Sequence, residues 1–232
     1  MKVILVALLS FMSGLASAAE PLSFETKYSA SLYGYTLDIT SNLKKLSNGN
    51  YQLYNHVDSY AGELVETSQL SWDETKKIAT PLTYKKYWSA LGKSSEEQVR
   101  FDWQKRTATS TVKNTSISVN GIGNIQDNLS YHLQMRQDFL AGKKSVNYTL
   151  TDGQKNSSIV FEIVKEEILD SALGKVKAVK VKRVHSGTKE TYVWLAKDYQ
   201  YLLVKFEQRK DGFLYTFTIN KATLNGKPIR RF

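Results

Sequence analysis

Apolar and polar residues alternate along most of this chain. Successive side chains of a strand point to opposite faces, so alternation over a handful of positions marks a strand with one dry and one wet face. Phe24, Thr26, Tyr28, Ala30 and Leu32 share a face; so do Tyr51, Leu53 and Val57, then Leu64, Leu70 and Trp72, then Val99, Phe101 and Trp103. Later sets are Ile159, Phe161 and Ile163; Leu202, Val204 and Phe206; and Phe213, Tyr215, Phe217 and Ile219. Asn48-Gly49, Asp152-Gly153, Ser186-Gly187, Asp211-Gly212 and Asn225-Gly226 punctuate these runs with residues suited to the positive φ of tight hairpins. The pattern predicts roughly ten to twelve strands in an antiparallel meander, and a sheet of that size curls or closes. The expected fold is mainly β: a strongly curved antiparallel sheet, or a partial or closed β-barrel.

One stretch breaks the rule. In "QDNLSYHLQMRQDFLAG", residues 126 to 142, apolar residues recur at helical spacing. Asp127 or Asn128 can cap the start, Gly142 can end it, and Lys143 and Lys144 suit the negative end of the dipole. Stepping about 100° per residue, Leu129, Leu133 and Leu140 fall together with Phe139, Met135 and Tyr131 beside them. Ser130, Gln134, Gln137 and Asp138 take the remaining face, which makes the helix amphipathic. His132 and Arg136, one turn apart, project from within the apolar arc, where an unpaired charge is costly. Either Arg136 reaches a carboxylate over the sheet rim while His132 bonds a backbone carbonyl, or the helix lids the mouth of the curved sheet and Arg136 offers its guanidinium to an anionic headgroup.

The N-terminus reads Met1, Lys2, an apolar run from Val3 to Leu15, then Ala16-Ser17-Ala18 before Ala19, the layout of a cleavable secretory signal. The expectation is a signal peptide at 1–18, one β-rich domain at 19–232 and a periplasmic location. The apolar run falls short of the ~20 residues needed to span a bilayer. The last segment, with Gly226, Lys227, Pro228, Arg230 and Arg231, breaks the outward apolar alternation of a membrane barrel, so a chain that does not span the membrane is expected. The absence of cysteine excludes disulfides, thiol catalysis and a lipid-modified cysteine.

The formal charge of +10 favours anionic partners, and export argues against nucleic acid. The basic run "GKVKAVKVKRVHSGTKE", residues 174 to 190, places Lys175, Lys177, Lys180, Lys182 and Arg183 on a strand. They are either a solvated anti-aggregation face or a patch for a polyanion. The aromatics Trp72, Tyr84, Tyr87, Trp88, Phe101, Trp103, Tyr192, Trp194, Tyr199 and Tyr201 sit in or beside strands, as core or as the lining of a ligand cavity. Signs of catalysis are missing. His56, His132 and His185 are far apart and fit no metal-binding spacing, Gly121 to Asn124 lacks the third glycine of a dinucleotide loop, and no G-x-S-x-G elbow occurs. Glu166 and Glu167, or Asp73 and Glu74, are neighbours that a strand would point opposite ways. Neither an enzyme nor a cofactor is expected.

"LSWDETKKIATPLTYKK" (70 to 86), "VRFDWQKRTAT" (99 to 109), "DNLSYHLQMRQDFLAG" (127 to 142), "EEILDSALGKVKAVKVKR" (166 to 183) and "VWLAKDYQYLLVKFEQRKDG" (193 to 212) together resemble the bacterial domain-of-unknown-function 3108 family. The resemblance implies an exported β-rich protein of unassigned activity and transfers no site residues. Members also look similar in style to periplasmic lipoprotein carriers, whose incomplete barrel is covered by helices and holds acyl chains. The expected function is binding of a hydrophobic, acyl or lipid ligand inside the curved sheet, with Arg136, His132, Trp88, Trp103 and Trp194 as candidate ligand-binding residues. The alternative is an envelope assembly factor that holds a partner protein or anionic polymer on its basic strand face or a sheet edge.

Overall fold

The computed structural model describes residues 21–32, 35–184 and 187–232. The N-terminal stretch read as a signal peptide, His185 and Ser186 lie outside the described residues. A first meander comprises β1 (Phe24–Leu32), β2 (Tyr35–Lys45), β3 (Tyr51–Ser59), β4 (Gly62–Asp73), β5 (Ile78–Ala90), β6 (Lys93–Asp102), β7 (Thr107–Ser110) and β8 (Thr115–Ser118), each antiparallel to the next. A short β9 (Ile125–Gln126) and the helix α1 (Ser130–Leu140) follow. The second meander is β10 (Ser145–Thr151), β11 (Asn156–Ser171), β12 (Gly174–Val184), β13 (Glu190–Ala196), β14 (Leu202–Lys210) and β15 (Phe213–Leu224), with β16 (Lys227–Ile229) folded back on β15. A 3-10 turn, Lys197–Tyr199, precedes β14.

The first and last long strands join the two meanders. β1 pairs antiparallel with β15, giving among the described residues one sixteen-stranded sheet in the order β8 to β1, then β15 down to β9, with β16 beside β15. Roughly ten to twelve strands were expected. The excess lies in β7, β8, β9 and β16, which at four, four, two and three residues are too short to show alternation. Register shifts at Lys27/Tyr28, Gln69/Leu70, Ile163/Lys165 and Trp194/Leu195 bend the sheet strongly. It is a large curved antiparallel sheet that does not close into a barrel.

Period-two alternation decides which face is inside. On β1, Thr26 and Tyr28 are buried while Glu25 and Lys27 are exposed. Tyr51, Leu53, Leu70, Tyr84, Val99, Leu129 and Leu133 pack into one apolar cluster; Met135, Phe139, Val146, Ile159, Phe161, Val181, Val193 and Leu195 form another. The helix therefore contributes its first half to one meander's core and its second half to the other's.

The split side of the sheet is stitched rather than paired. The turn between β10 and β11 abuts β7 so closely that a Cβ on Gly153 would sit 2.3 Å from the Ser110 nitrogen, at a φ of +76° that only glycine adopts freely. Thr115 Oγ1 donates to the Gly153 carbonyl at 3.1 Å on the same seam. Gly153→Ala is expected to lower unfolding free energy by about 2 kcal/mol or more, through strain and the backbone clash together. Chemical denaturation reads this directly; a loss under about 0.5 kcal/mol would mean the seam is not closely packed.

Candidate functional site

The site starts from how the helix is held. Asp127 Oδ1 accepts the N–H groups of Leu129 (2.8 Å) and Ser130 (2.7 Å), the Ser130 hydroxyl accepts the Asp127 N–H, and the Ser68 hydroxyl donates to Asp127 Oδ2 at 2.6 Å. This reciprocal cap satisfies donors that the helix leaves orphaned, on a residue wholly removed from solvent. One turn on, Gln134 Oε1 accepts the Ala79 N–H at 2.7 Å and its Nε2 donates to the Lys77 carbonyl, while Gln126 Nε2 donates to the Ala79 carbonyl at 2.9 Å. β6 pairs with β5 only from Thr83 onward, so these amides complete the open edge at the start of β5.

The amphipathic expectation therefore needs correction. Ser130, Gln134, Gln137 and Asp138 are buried, not solvated. Asp138 accepts hydrogen bonds from the Tyr148 hydroxyl and the Lys143 ammonium. A polar face cannot distinguish water from a neighbouring strand edge as its partner, which is why spacing alone reads it as wet.

Between α1 and the wall formed by β13, β14, β15, β1, β2, β3 and β4 lies a largely apolar cavity of about 360 Å³. That is the small end of the ~300–1,000 Å³ typical of ligand pockets, or about a dozen liquid waters. Leu53, Val57, Leu64, Leu133, Phe206 and Phe217 supply its apolar surface. A larger recess of about 550 Å³ lies at the turns after β3 and β5, but it is shallow, open and mostly polar, unlike an enclosed ligand site.

Arg136 and His132 both line the cavity. The Arg136 Nε donates to the Gln200 carbonyl at 3.0 Å and the guanidinium lies 4.9 Å from the Phe24 ring centroid. Its Nη1 is buried with no protein partner, and no carboxylate among the described residues pairs with it. The salt bridge weighed for Arg136 is thus replaced by a carbonyl contact. Desolvation lowers its pKa to about 10, opposed by Tyr28, whose own pKa burial raises to about 12. His132 has no ring hydrogen bond among the described residues, and burial pushes its pKa down to about 4, which keeps it neutral.

Two cavity residues escaped the alternation reading, and both occupy gaps in it. Asn55 falls between Leu53 and Val57, and Glu66 follows Leu64 on the same inward face. Asn55 Oδ1 is a second buried atom without a protein partner. Glu66 accepts the Tyr84 hydroxyl at 2.6 Å, and desolvation raises its pKa. The sequence signal was available for Asn55, a polar residue between the inward Leu53 and Val57, whereas Glu66 and the buried Ser68 form a polar pair between Leu64 and Leu70.

The three candidate tryptophans lie elsewhere. Trp88 is 37% exposed near the far end of β5. Trp103 donates to the Pro81 carbonyl at 2.7 Å and stacks on Phe101, both partly buried against the core. Trp194 points away from the cavity that its neighbours Val193 and Leu195 line, and donates to Glu167 at 2.7 Å. The five basic residues do not form one face either. Strand period puts Lys180 and Lys182 with Val176 and Ala178, opposite Lys175, Lys177 and Arg183. Lys180 stands 4.2 Å from the Tyr192 ring and 4.8 Å from Trp194, an ordered cation-π layer. Among the described residues, no three His, Asp or Glu side chains gather as a metal site.

A curved antiparallel sheet wrapped on one buried helix, with an apolar hollow between them, defines the class of protein. Residues 62–218 match the family described as protein of unknown function (DUF3108), and the chain belongs to that family. Its fold is similar to the crystal structure of a β-barrel-like protein of domain of unknown function DUF1849 from Brucella abortus, at 11% identity and a TM-score of 0.57, covering 88% of this chain and 97% of that one. No curated protein matches the chain.

Asp127 and His132 give the site opposed pH dependences. Burial raises the Asp127 pKa to about 6, above its unfolded value, so its folded form binds the extra proton and its contribution to stability falls as pH rises from about 4 to 6. His132 is depressed, so its contribution is complete above about 6.5 and is lost as pH falls toward 4. Relative to the parent, Asp127→Asn should therefore make stability rise more steeply with pH between 4 and 6, and His132→Gln should make it rise less steeply, each by up to roughly 1 kcal/mol per pH unit. Denaturation midpoints across that range check both signs; parallel profiles for all three proteins would contradict the burial of these groups.

Proposed function

We propose that this chain is an exported, non-catalytic periplasmic binding protein that holds a hydrophobic ligand with an anionic head, an acyl carboxylate being the simplest case. What supports the reading is Arg136: a buried guanidinium with an unpartnered Nη1, set in an apolar cavity. A protein interior rarely retains an uncompensated cation, because desolvation costs several kcal/mol and apolar replacements are often neutral or stabilising. A ligand carboxylate would supply the missing charge through a strong charge-assisted bond, while its chain occupies the space lined by Leu53, Val57, Leu64 and Phe217. The orphaned Asn55 Oδ1 offers an acceptor in the same cavity.

Arg136→Met keeps the length of the side chain and removes the charge. The expected result is an unchanged or higher melting temperature together with at least tenfold weaker binding of a medium-chain fatty acid, measured by displacement of a fluorescent fatty-acid probe. Undiminished binding in the variant would remove the guanidinium from the reading, and a large loss of stability with binding intact would leave Arg136 a purely structural role.

A further inference from the structure

The two ends of the curved sheet differ in chemistry. At one end, α1 reaches the turns: Arg136 and Phe139 meet Gln200 and Tyr201 before β14, and Gln134 meets Lys77 before β5. The exposed turn residues there are mostly polar, among them Asn48, Glu74, Lys76, Lys105 and Asn225, with Ile122 (61% exposed) the large apolar exception and Trp103, Leu173 and Tyr201 partly buried. The opposite rim carries the turns after β3, β5 and β14, which the antiparallel strand order sets at the same end of the sheet. On that rim Tyr60 is 95% exposed, Leu91 88%, Phe213 51% and Leu214 50%. The cavity runs toward it, since Val57 and Leu64 lie just below the turn that bears Tyr60.

Leu91 is the informative residue. Leu91 and Gly92 both have positive φ, +50° and +77°, in the two-residue hairpin between β5 and β6. The equivalent slot holds Asp211 (φ +50°) before Gly212 and Asn225 (φ +49°) before Gly226 in two other hairpins of this chain. Asn and Asp tolerate this conformation; an aliphatic residue is disfavoured there. Leu91 is the only aliphatic residue among the described non-glycine residues of positive φ, and its side chain is almost fully in water. It gains nothing from folding for the strain it bears. Its turn is nonetheless built firmly: the Leu91 N–H donates to the Ala61 carbonyl at 3.3 Å, and Gly62 sits so close to Ser89 that a Cβ would meet its carbonyl oxygen at 2.0 Å. The tips bearing Tyr60 and Leu91 are thus locked together and project jointly.

We propose that this rim docks on a lipid bilayer, with Tyr60 and Leu91 inserted at headgroup depth. A few projecting apolar tips, without a broad flat patch around them, suit a fluid apolar phase better than a protein partner, which requires a broad complementary patch. Tyrosine, with an apolar ring and a polar end, suits the interface in particular. The rim carries both signs of charge, Asp58, Glu63 and Asp211 beside Lys93 and Lys210, so apolar insertion and not electrostatic attraction holds it. The inference rests on the proposed cavity reading for its purpose alone: a rim seated on the bilayer puts the cavity's end next to the source of acyl chains.

The test is flotation of the mature protein with phosphatidylcholine vesicles at low and high salt. The parent is expected to float at both. Leu91→Asn combined with Tyr60→Ser should cut the floated fraction at least tenfold while leaving the melting temperature unchanged or raised, because asparagine suits the turn better than leucine. Fatty-acid probe binding in solution should be the same in this variant and the parent. Flotation without any probe binding would retire the cavity reading and leave the docking rim standing. Flotation only of vesicles containing phosphatidylglycerol and only at low salt, equal flotation of parent and variant, or a parent dimer in sedimentation velocity that the variant loses, would each overturn the rim proposal.

Discussion

An open sheet must satisfy the backbone groups along its unpaired edges, and in this protein that requirement falls on the side chains of one short helical segment. Ala79 pairs with β4 on one side but lies beyond the reach of β6 on the other, and its N–H and carbonyl are completed by the amides of Gln134 and Gln126. Asp127, bound to Ser68 of β4, fixes where the helix begins. An unmade bond at any of these buried groups costs about 1–3 kcal/mol. The helix is thereby anchored to one meander through polar contacts, while Phe139 and Met135 pack into the other. Everything proposed about the cavity depends on this anchoring, because it holds the helix off the β1 and β15 wall rather than letting it collapse onto it.

That geometry explains how a buried cation persists. Arg136 sits on the side of the helix that faces the hollow, where it can reach the Gln200 carbonyl and the Phe24 ring but no carboxylate among the described residues. Hydrogen bonding to a carbonyl and stacking on a ring offset part of the desolvation and leave the net charge uncompensated. A chain built only for stability would place methionine or leucine here, as it does at Met135 and Leu133.

Much of the architecture was legible because period-two alternation is a strong signal in long strands. The faces of β1, β3, β4 and β6 follow from it, the bend follows from sheet size, and the helix follows from the change of period, with its cap narrowed to Asp127 or Asn128, between which the structure selects Asp127. What was not legible depends on pairings distant in sequence. Nothing local announces that β1 joins β15, nor that the polar side of the helix meets a strand edge and not water. The site was half legible: a charge within an apolar arc points to Arg136 and His132, whereas Asn55 and Glu66 show themselves only as interruptions of an inward series. The tryptophans could not be sorted, since a large aromatic on a strand serves core, outer face and cavity equally well, and only register distinguishes them. The basic run was misleading for the same reason, as β12 sends its cations to both sides of the sheet.

Occupancy of the hollow is the claim on which the functional account turns, and native mass spectrometry of the protein purified from the cells that make it measures it most directly. The account predicts a mature chain beginning at Ala19 that carries one acyl-sized adduct, released by organic extraction and absent from Arg136→Met. A chain that flies without adduct under conditions that preserve weak complexes, or one whose adduct survives the loss of Arg136, would contradict it.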